Sequence, residues 1–228
     1  MKKFYLILDT ETADLSGSVY DVGYVVVNRK GEILREYNAL VREVFTDATR
    51  MMGAFYASKT FTHYAPMLDR GAIHLEPWHE IVNQLNHDIN ESGAEVICAY
   101  NAGFDFRAMR ATHKMLGWSG YVLGRTMQLL DLWQFACEAK LTQTDYIRIA
   151  LENGWVTPKG NIKTGAEFAY RYITRNYEFA EDHTALSDAK IEATILAECF
   201  RQKKRIPYGI IDNMPWRLVS EKAARVNT

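Results

Sequence analysis

The chain has 228 residues, 48% of them hydrophobic and 24% charged. That suits one large domain with a full core and excludes disordered, fibrous and collagen-like sequence. A formal net charge of −1, from 27 Lys and Arg against 28 Asp and Glu, taken alone argues against a nucleic-acid binder, which usually carries a basic excess.

Residues 4–9 (FYLILD) form a short apolar run that ends in an acid, and they read as a buried first strand. The run is too short for a secretory core and no small-residue cleavage site follows it, so a leader is not expected. Residues 19–28 (VYDVGYVVVN) are β-branched and aromatic and read as a second strand. A turn at 28–31 leads to a third strand at 32–41, which makes a hairpin. Residues 43–76 mix aromatics with Thr, Ala, Met and Gly and read as short helices.

Pro77 opens a helix in which Trp78, Ile81, Leu85 and Ile89 share one face, and Gly93 stops it. Residues 95–100 (EVICAY) read as a fourth strand, 104–116 as a helix ended by Gly117, and 127–130 as a fifth strand. Asp131 is placed to cap the helix that follows. Residues 143–153 and 164–175 read as helical. A last helix runs from about Thr184 to Arg201, with a stripe of Leu186, Ala189, Ala193, Leu196 and Phe200 at spacings of three and four.

The whole predicts an α/β fold with a mixed five-stranded sheet flanked by helices on both faces. The domain spans 1–205, and 206–228 form a C-terminal extension beyond the basic cluster at 201–205. Cys98, Cys137 and Cys199 are odd in number, widely spaced and lie in apolar surroundings. Neither a disulfide framework nor a zinc site is expected, and a reducing cytoplasm fits best. No segment has the roughly 20 apolar residues of a membrane span.

Three clusters hold the candidate chemistry. Asp9 and Glu11 end the first strand, and acids at i and i+2 on a strand point to one side. Like charges buried together need a cation, so the pair is either a surface accident or half of a metal site. Asp105 follows the fourth strand at the start of a helix. It either favours the helix N-terminus electrostatically or, at the carboxyl end of a neighbouring strand, joins a ligand site. His183 and Asp188 flank the start of the last helix, and a lone loop histidine there is as a rule a surface residue.

Together the clusters read D-T-E at 9–11, N-A-G-F-D at 101–105 and H-T-A-L-S-D at 183–188. In that order they resemble the DEDD exonucleases of the RNase H-like superfamily. The resemblance is to the DEDDh branch, with its proofreading subunits and RNase T-like enzymes, and it spans residues 4 to about 200. The sister branch has Tyr four residues before the last Asp, where this chain has Thr184.

The resemblance implies a metal-dependent 3′–5′ exonuclease that releases nucleoside 5′-monophosphates from single-stranded ends, DNA favoured over RNA. It implies two Mg²⁺ or Mn²⁺ ions on Asp9, Glu11, Asp105 and Asp188, with His183 as general base. Substrate contacts would come from Thr10, Thr12, Leu15, Asn101 and Phe104, Leu15 as a wedge and Phe104 by stacking on a base or as a core residue. A homodimer occurs among similar enzymes. The competing class is a catalytically weak nucleic-acid-binding or polymerase-associated module of the same fold. The presence of all four acids and the histidine favours the enzyme.

The chain departs from the family pattern at Tyr100, often His, and at Ala13-Asp14, often Thr-Gly. The aromatics Phe45, Phe55, Tyr56, Phe61 and Tyr64 either line a nucleic-acid groove or, the favoured reading, pack a helical layer on the sheet. His74, His79, His87 and His113 show no ligand spacing, and 160–165 lacks the ending of a phosphate-binding P-loop.

Overall fold

The computed structural model describes residues 3–15, 17–202 and 205–226. Three strands open the chain: β1 (Tyr5–Thr12), β2 (Val19–Val27) and β3 (Ile33–Val41). Short helices α1 (Arg42–Phe45), α2 (Ala48–Met52) and α3 (Ala65–Asp69) follow, with a π-helical turn at Thr60–Tyr64. Then come β4 (His74–Glu76), α4 (Trp78–Ser92), β5 (Val96–Ala99), α5 (Ala102–Met115) and β6 (Gln128–Asp131). The rest is helical: α6 (Leu132–Ala136), a π-helical turn at Cys137–Leu141, α7 (Thr144–Glu152), α8 (Ala166–Thr174), α9 (Ala185–Gln202) and α10 (Trp216–Val226).

The sheet is mixed and has six strands in the order β4-β3-β2-β1-β5-β6. β1, β2 and β3 pair antiparallel, while β5 runs parallel to β1 and β6 parallel to β5. The expectation of five strands misses β4. Its three residues are too few to show alternation, and it pairs parallel with the end of β3 at the sheet edge.

Alternation along β1 sorts the core into two layers. Tyr5 and Ile7 face one cluster with residues of α6, α7, α8 and α9, whereas Leu6 and Leu8 face another with α4, α5 and the segment carrying α1 to α3. Every residue of β2 is buried, which explains its near-continuous apolar sequence. The four residues read as the buried face of α4 are all buried, and Gly93 ends that helix in the left-handed region at φ 65°. Asp131 caps α6 by accepting from the backbone N–H groups of Trp133 and Gln134 at 2.9 and 3.2 Å.

One glycine is required by packing. At Gly23 on β2 the start of α9 crosses the sheet so closely that a Cβ would lie 2.1 Å from the backbone nitrogen of Leu186. Beside it, Asp21 accepts from the Ala185 N–H at 3.0 Å and from the Tyr64 hydroxyl at 2.8 Å. β2 therefore fixes the height and position of the α9 N-terminus.

The segment after Pro207 packs back on the domain. The Gly209 N–H donates to the Leu129 carbonyl at 2.8 Å, and Val219 of α10 is fully buried in the layer that holds α7. Cys98, Cys137 and Cys199 are buried free thiols. Among the described residues, no helix is long and apolar enough to cross a membrane.

Candidate active site

Because β1 and β5 are parallel neighbours, their carboxyl ends open on the same edge, where ligands of α/β sheets bind. β1 delivers Asp9 and Glu11 there, and β5 runs straight into α5, whose first turn bears Asp105. From the other side α9 brings Asp188 in its first turn. Its i+4 neighbour Glu192 lies on the same helical face. His183 precedes α9 in the left-handed region, φ 51°, a conformation costly for a residue with a Cβ and one that recurs at functional sites.

A cavity of about 270 Å³ is lined by Asp9, Thr10, Glu11, Phe104, Asp105, His183 and Asp188. The three sequence clusters thus meet at one place. The same cavity adds Tyr56, Tyr100, Glu181 and Glu192, none of which the sequence motifs place in the site. The remaining candidates stand elsewhere. Thr12 ends β1 just past an irregularity in its pairing with β2, Asn101 is the N-cap of α5 at φ 65°, and Leu15 is 97% exposed in the β1–β2 loop. Leu15 lines an adjoining groove that shares Phe104 with the cavity.

Burial and crowding of like charge set the electrostatics. Burial pushes the Asp9 carboxyl well above its ordinary value, and Asp105, Glu192, Asp188 and Glu11 push the same way. Burial raises Glu11 to about 9, with Asp188 and Asp21 adding and the Lys59 ammonium opposing. Asp188 rises to about 8 through burial and the charges of Glu181 and Asp182. Asp105 reaches only about 7, because hydrogen bonds to its carboxylate offset burial. Thr10 supplies two of them: its hydroxyl donates at 2.8 Å and its N–H at 3.1 Å, both to Asp105 Oδ1. Both donors of Thr10 are thus turned toward a carboxylate.

Glu192 is nearly fully buried and raised well above its usual range by burial, although the Tyr100 N–H donates to it at 3.1 Å. His183 is shifted down, first by burial and then by Lys59, so the imidazole is neutral near pH 7. Tyr56 stacks on its ring with centroids 4.7 Å apart and planes at 19°. Lys59 donates to the carbonyls of Asp182 and His183, and Glu181 Oε2 lies 3.8 Å from His183 Nδ1.

These residues fit hard divalent cations. Asp188 Oδ1 is buried without a hydrogen-bond partner, and an orphan carboxylate oxygen among other acids is what a cation would satisfy. Glu11, His183 and Asp188 each offer a ligand atom within 4.8 Å of the others. Asp9 and Asp105 line the cavity but stand outside that tight trio. The carboxylate oxygens of Asp9, Glu11, Asp105 and Asp188 suit Mg²⁺ or Mn²⁺ rather than a soft metal.

The aromatic segment divides. Phe45 and Tyr64 pack as a layer with Tyr20, at ring separations of 5.8 and 5.7 Å from Tyr64, in line with the favoured reading. Phe55 and Phe61 are 88% and 79% exposed, and Tyr56 belongs to the site. Glu192 carries a sequence signal, an acid one turn after Asp188 inside an apolar stripe. Tyr56 carries only the aromatic richness of its segment, where it follows the groove-lining alternative rather than the favoured packing one, and Lys59 and Glu181 lie in stretches without periodicity and carry none.

No family model matches the chain, and no curated protein sequence matches it. Among solved structures it is similar to one described as exonuclease X in complex with 5′ overhanging duplex DNA. The two share 19% identity, with 86% of this chain and 91% of that chain covered and a TM-score of 0.48.

Proposed function

We propose that this chain is a metal-dependent 3′–5′ exonuclease of the DEDDh type, releasing nucleoside 5′-monophosphates from single-stranded ends. The observation that carries the reading is the convergence of Asp9, Glu11, Asp105, Asp188 and His183 from three distant segments on one cavity. Four acids raised by burial and mutual repulsion are costly unless charge arrives to neutralise them.

Asp9, Glu11, Asp105 and Asp188 would hold two Mg²⁺ or Mn²⁺ ions, which when bound lower the pKa of water and stabilise the leaving oxyanion. His183, kept neutral by its surroundings, accepts the proton of the attacking water. Its ring is held for that task by the Tyr56 face. Thr10 orients Asp105 through two hydrogen bonds to its Oδ1. Phe104 on the cavity wall offers a face to the terminal base. In the reaction, water oxygen joins phosphorus and the bond from phosphorus to the preceding O3′ breaks.

The test is digestion of 5′-labelled single-stranded DNA and RNA with Mg²⁺ or Mn²⁺. A ladder shrinking from the 3′ end, abolished by chelator and by Asp9→Ala, is expected, with DNA cut faster. Absence of metal-dependent nucleotide release from both polymers refutes the reading.

A further inference from the structure

Next to the acidic cavity lies a second groove of about 260 Å³, lined by Leu15, Gly17, Phe104, Arg107, Arg110 and Lys114. The two share Phe104 as a common wall. Arg107, Arg110 and Lys114 stand at i, i+3 and i+7 on α5, so they form one ridge along the helix. All three are exposed, and none has an ion-pair partner among the described residues.

We propose that this groove is a track for the sugar–phosphate backbone of the single strand leading away from the terminal nucleotide. The inference rests on the exonuclease reading of the neighbouring cavity and names where the rest of its substrate lies. Charge complementarity selects the occupant. A phosphodiester chain needs successive cations along a line, and no Lys or Arg is among the described residues that line the acidic cavity. The net charge of −1 therefore conceals a division: acids line the cavity, and cations without acidic partners line the groove beside it.

The groove is preformed. The Thr112 hydroxyl donates to the Gly17 carbonyl at 2.6 Å and accepts from the Val19 N–H at 2.9 Å, which ties the β1–β2 loop to α5. Gly17, at φ 102°, approaches α5 so closely that a Cβ would lie 2.7 Å from Ala108 Cα. Leu15, which lines the same groove, is exposed, where it can rest against a base. At the far side, Arg110 also borders a cleft of about 480 Å³ with Tyr121 and Arg125.

From Arg107 to Lys114 the helix rises about 10 Å. At about 3.4 Å per stacked nucleotide this matches about three nucleotides. Affinity is therefore expected to rise with strand length up to about four or five nucleotides and then level off.

The experiment compares wild type with the triple variant Arg107→Gln, Arg110→Gln, Lys114→Gln. Substrates are a 5′-fluorescein oligothymidylate of about ten nucleotides and the p-nitrophenyl ester of thymidine 5′-monophosphate, too short to reach the groove. The ratio of oligonucleotide to ester kcat/KM is expected to fall at least tenfold. The slope of log KM against log salt should fall by about 2, since each phosphate that a side chain neutralises on a single strand adds about 0.7. The single variants Arg107→Gln and Lys114→Gln should each lower it by about 0.7, which guards against a misfolded triple variant. An unchanged ratio and slope overturn the track. If wild type cuts neither substrate, the exonuclease reading falls. Fluorescence anisotropy of the same oligonucleotide in Ca²⁺ then decides the groove, and equal affinity for wild type and triple variant overturns it.

Discussion

Replacing Gly23 by Ala puts a methyl group where the backbone of α9 already is. The new Cβ would lie 2.1 Å from Leu186 N, 2.3 Å from the Ala185 carbonyl carbon and 2.5 Å from Leu186 Cα. All three are main-chain atoms, so no side chain can rotate away. Packed atoms do not settle below about 3 Å, and the start of α9 must retreat by about 1 Å. That strains the hydrogen bond from Ala185 N–H to Asp21 and carries Asp188, three residues along, away from Glu11 on the sheet. Overpacking of this kind costs about 1–3 kcal/mol, with main-chain obstruction at the upper end. In a chain of this size 1 kcal/mol moves Tm by about 2–4 °C, so Gly23→Ala should lower it by about 4–12 °C. A displacement of about 1 Å in a reacting constellation costs about 100-fold in rate. Calorimetry and nucleotide release under saturating Mn²⁺ read both effects. Gly53→Ala is the control, because a Cβ there meets only ordinary contacts, 3.5 and 4.0 Å from carbonyl oxygens. A Gly23→Ala protein with unchanged Tm and full rate refutes the claim that β2 sets the position of α9.

Metal-free protein should lose stability as pH rises. The folded-state values of Glu11 and Asp188, about 9 and about 8, lie above the ordinary carboxylate range, so the folded state binds more protons than the unfolded one. The advantage is complete below about pH 4 and gone above about pH 9, so Tm in chelator should fall between pH 5 and 8. Mn²⁺ should raise Tm more at pH 8 than at pH 5, and a pH-independent Tm in chelator contradicts this account. His183→Ala should lower kcat by about 10²–10⁴ while calorimetric Mn²⁺ affinity stays within about threefold. Collapse of Mn²⁺ binding would instead make His183 a ligand beside Glu11 and Asp188. Tyr56→Ala uncovers the His183 ring and should move the acidic limb of the pH–rate profile to higher pH, since burial is the main cause of its lowered value. Tyr56→Phe keeps the stacked face and should leave the limb in place.

The parts of the site that could be read from sequence are those tied to regular elements. Asp9 and Glu11 share a face because strands alternate, and the apolar run before them shows that this is a strand. Asp188 lies in the first turn of a helix whose apolar spacing is plain, and Asp105 in the first turn of one that the sequence marks by its glycine stop at Gly117. Tyr56 and Lys59 lie between α2 and the π-helical turn, in a segment whose order comes from packing over the cavity rather than from periodicity. β4 is legible only through its partner, the end of β3. The docking of α10 depends on Val219 meeting a surface built by the distant α6–α7 region, which nothing near Val219 announces.

The bond between Asp21 and the Ala185 N–H joins residues 164 positions apart in the chain. Asp9 and Glu11 are made near the beginning, His183 and Asp188 near the end, and nothing local brings them together. A chain ending before residue 183 has Asp9, Glu11 and Asp105 but neither His183 nor Asp188. The cavity shared by these residues is therefore complete only when α9 is settled against β2. A contact across 164 positions closes a long loop at an entropic cost, which the packing of α9 on β2 must offset.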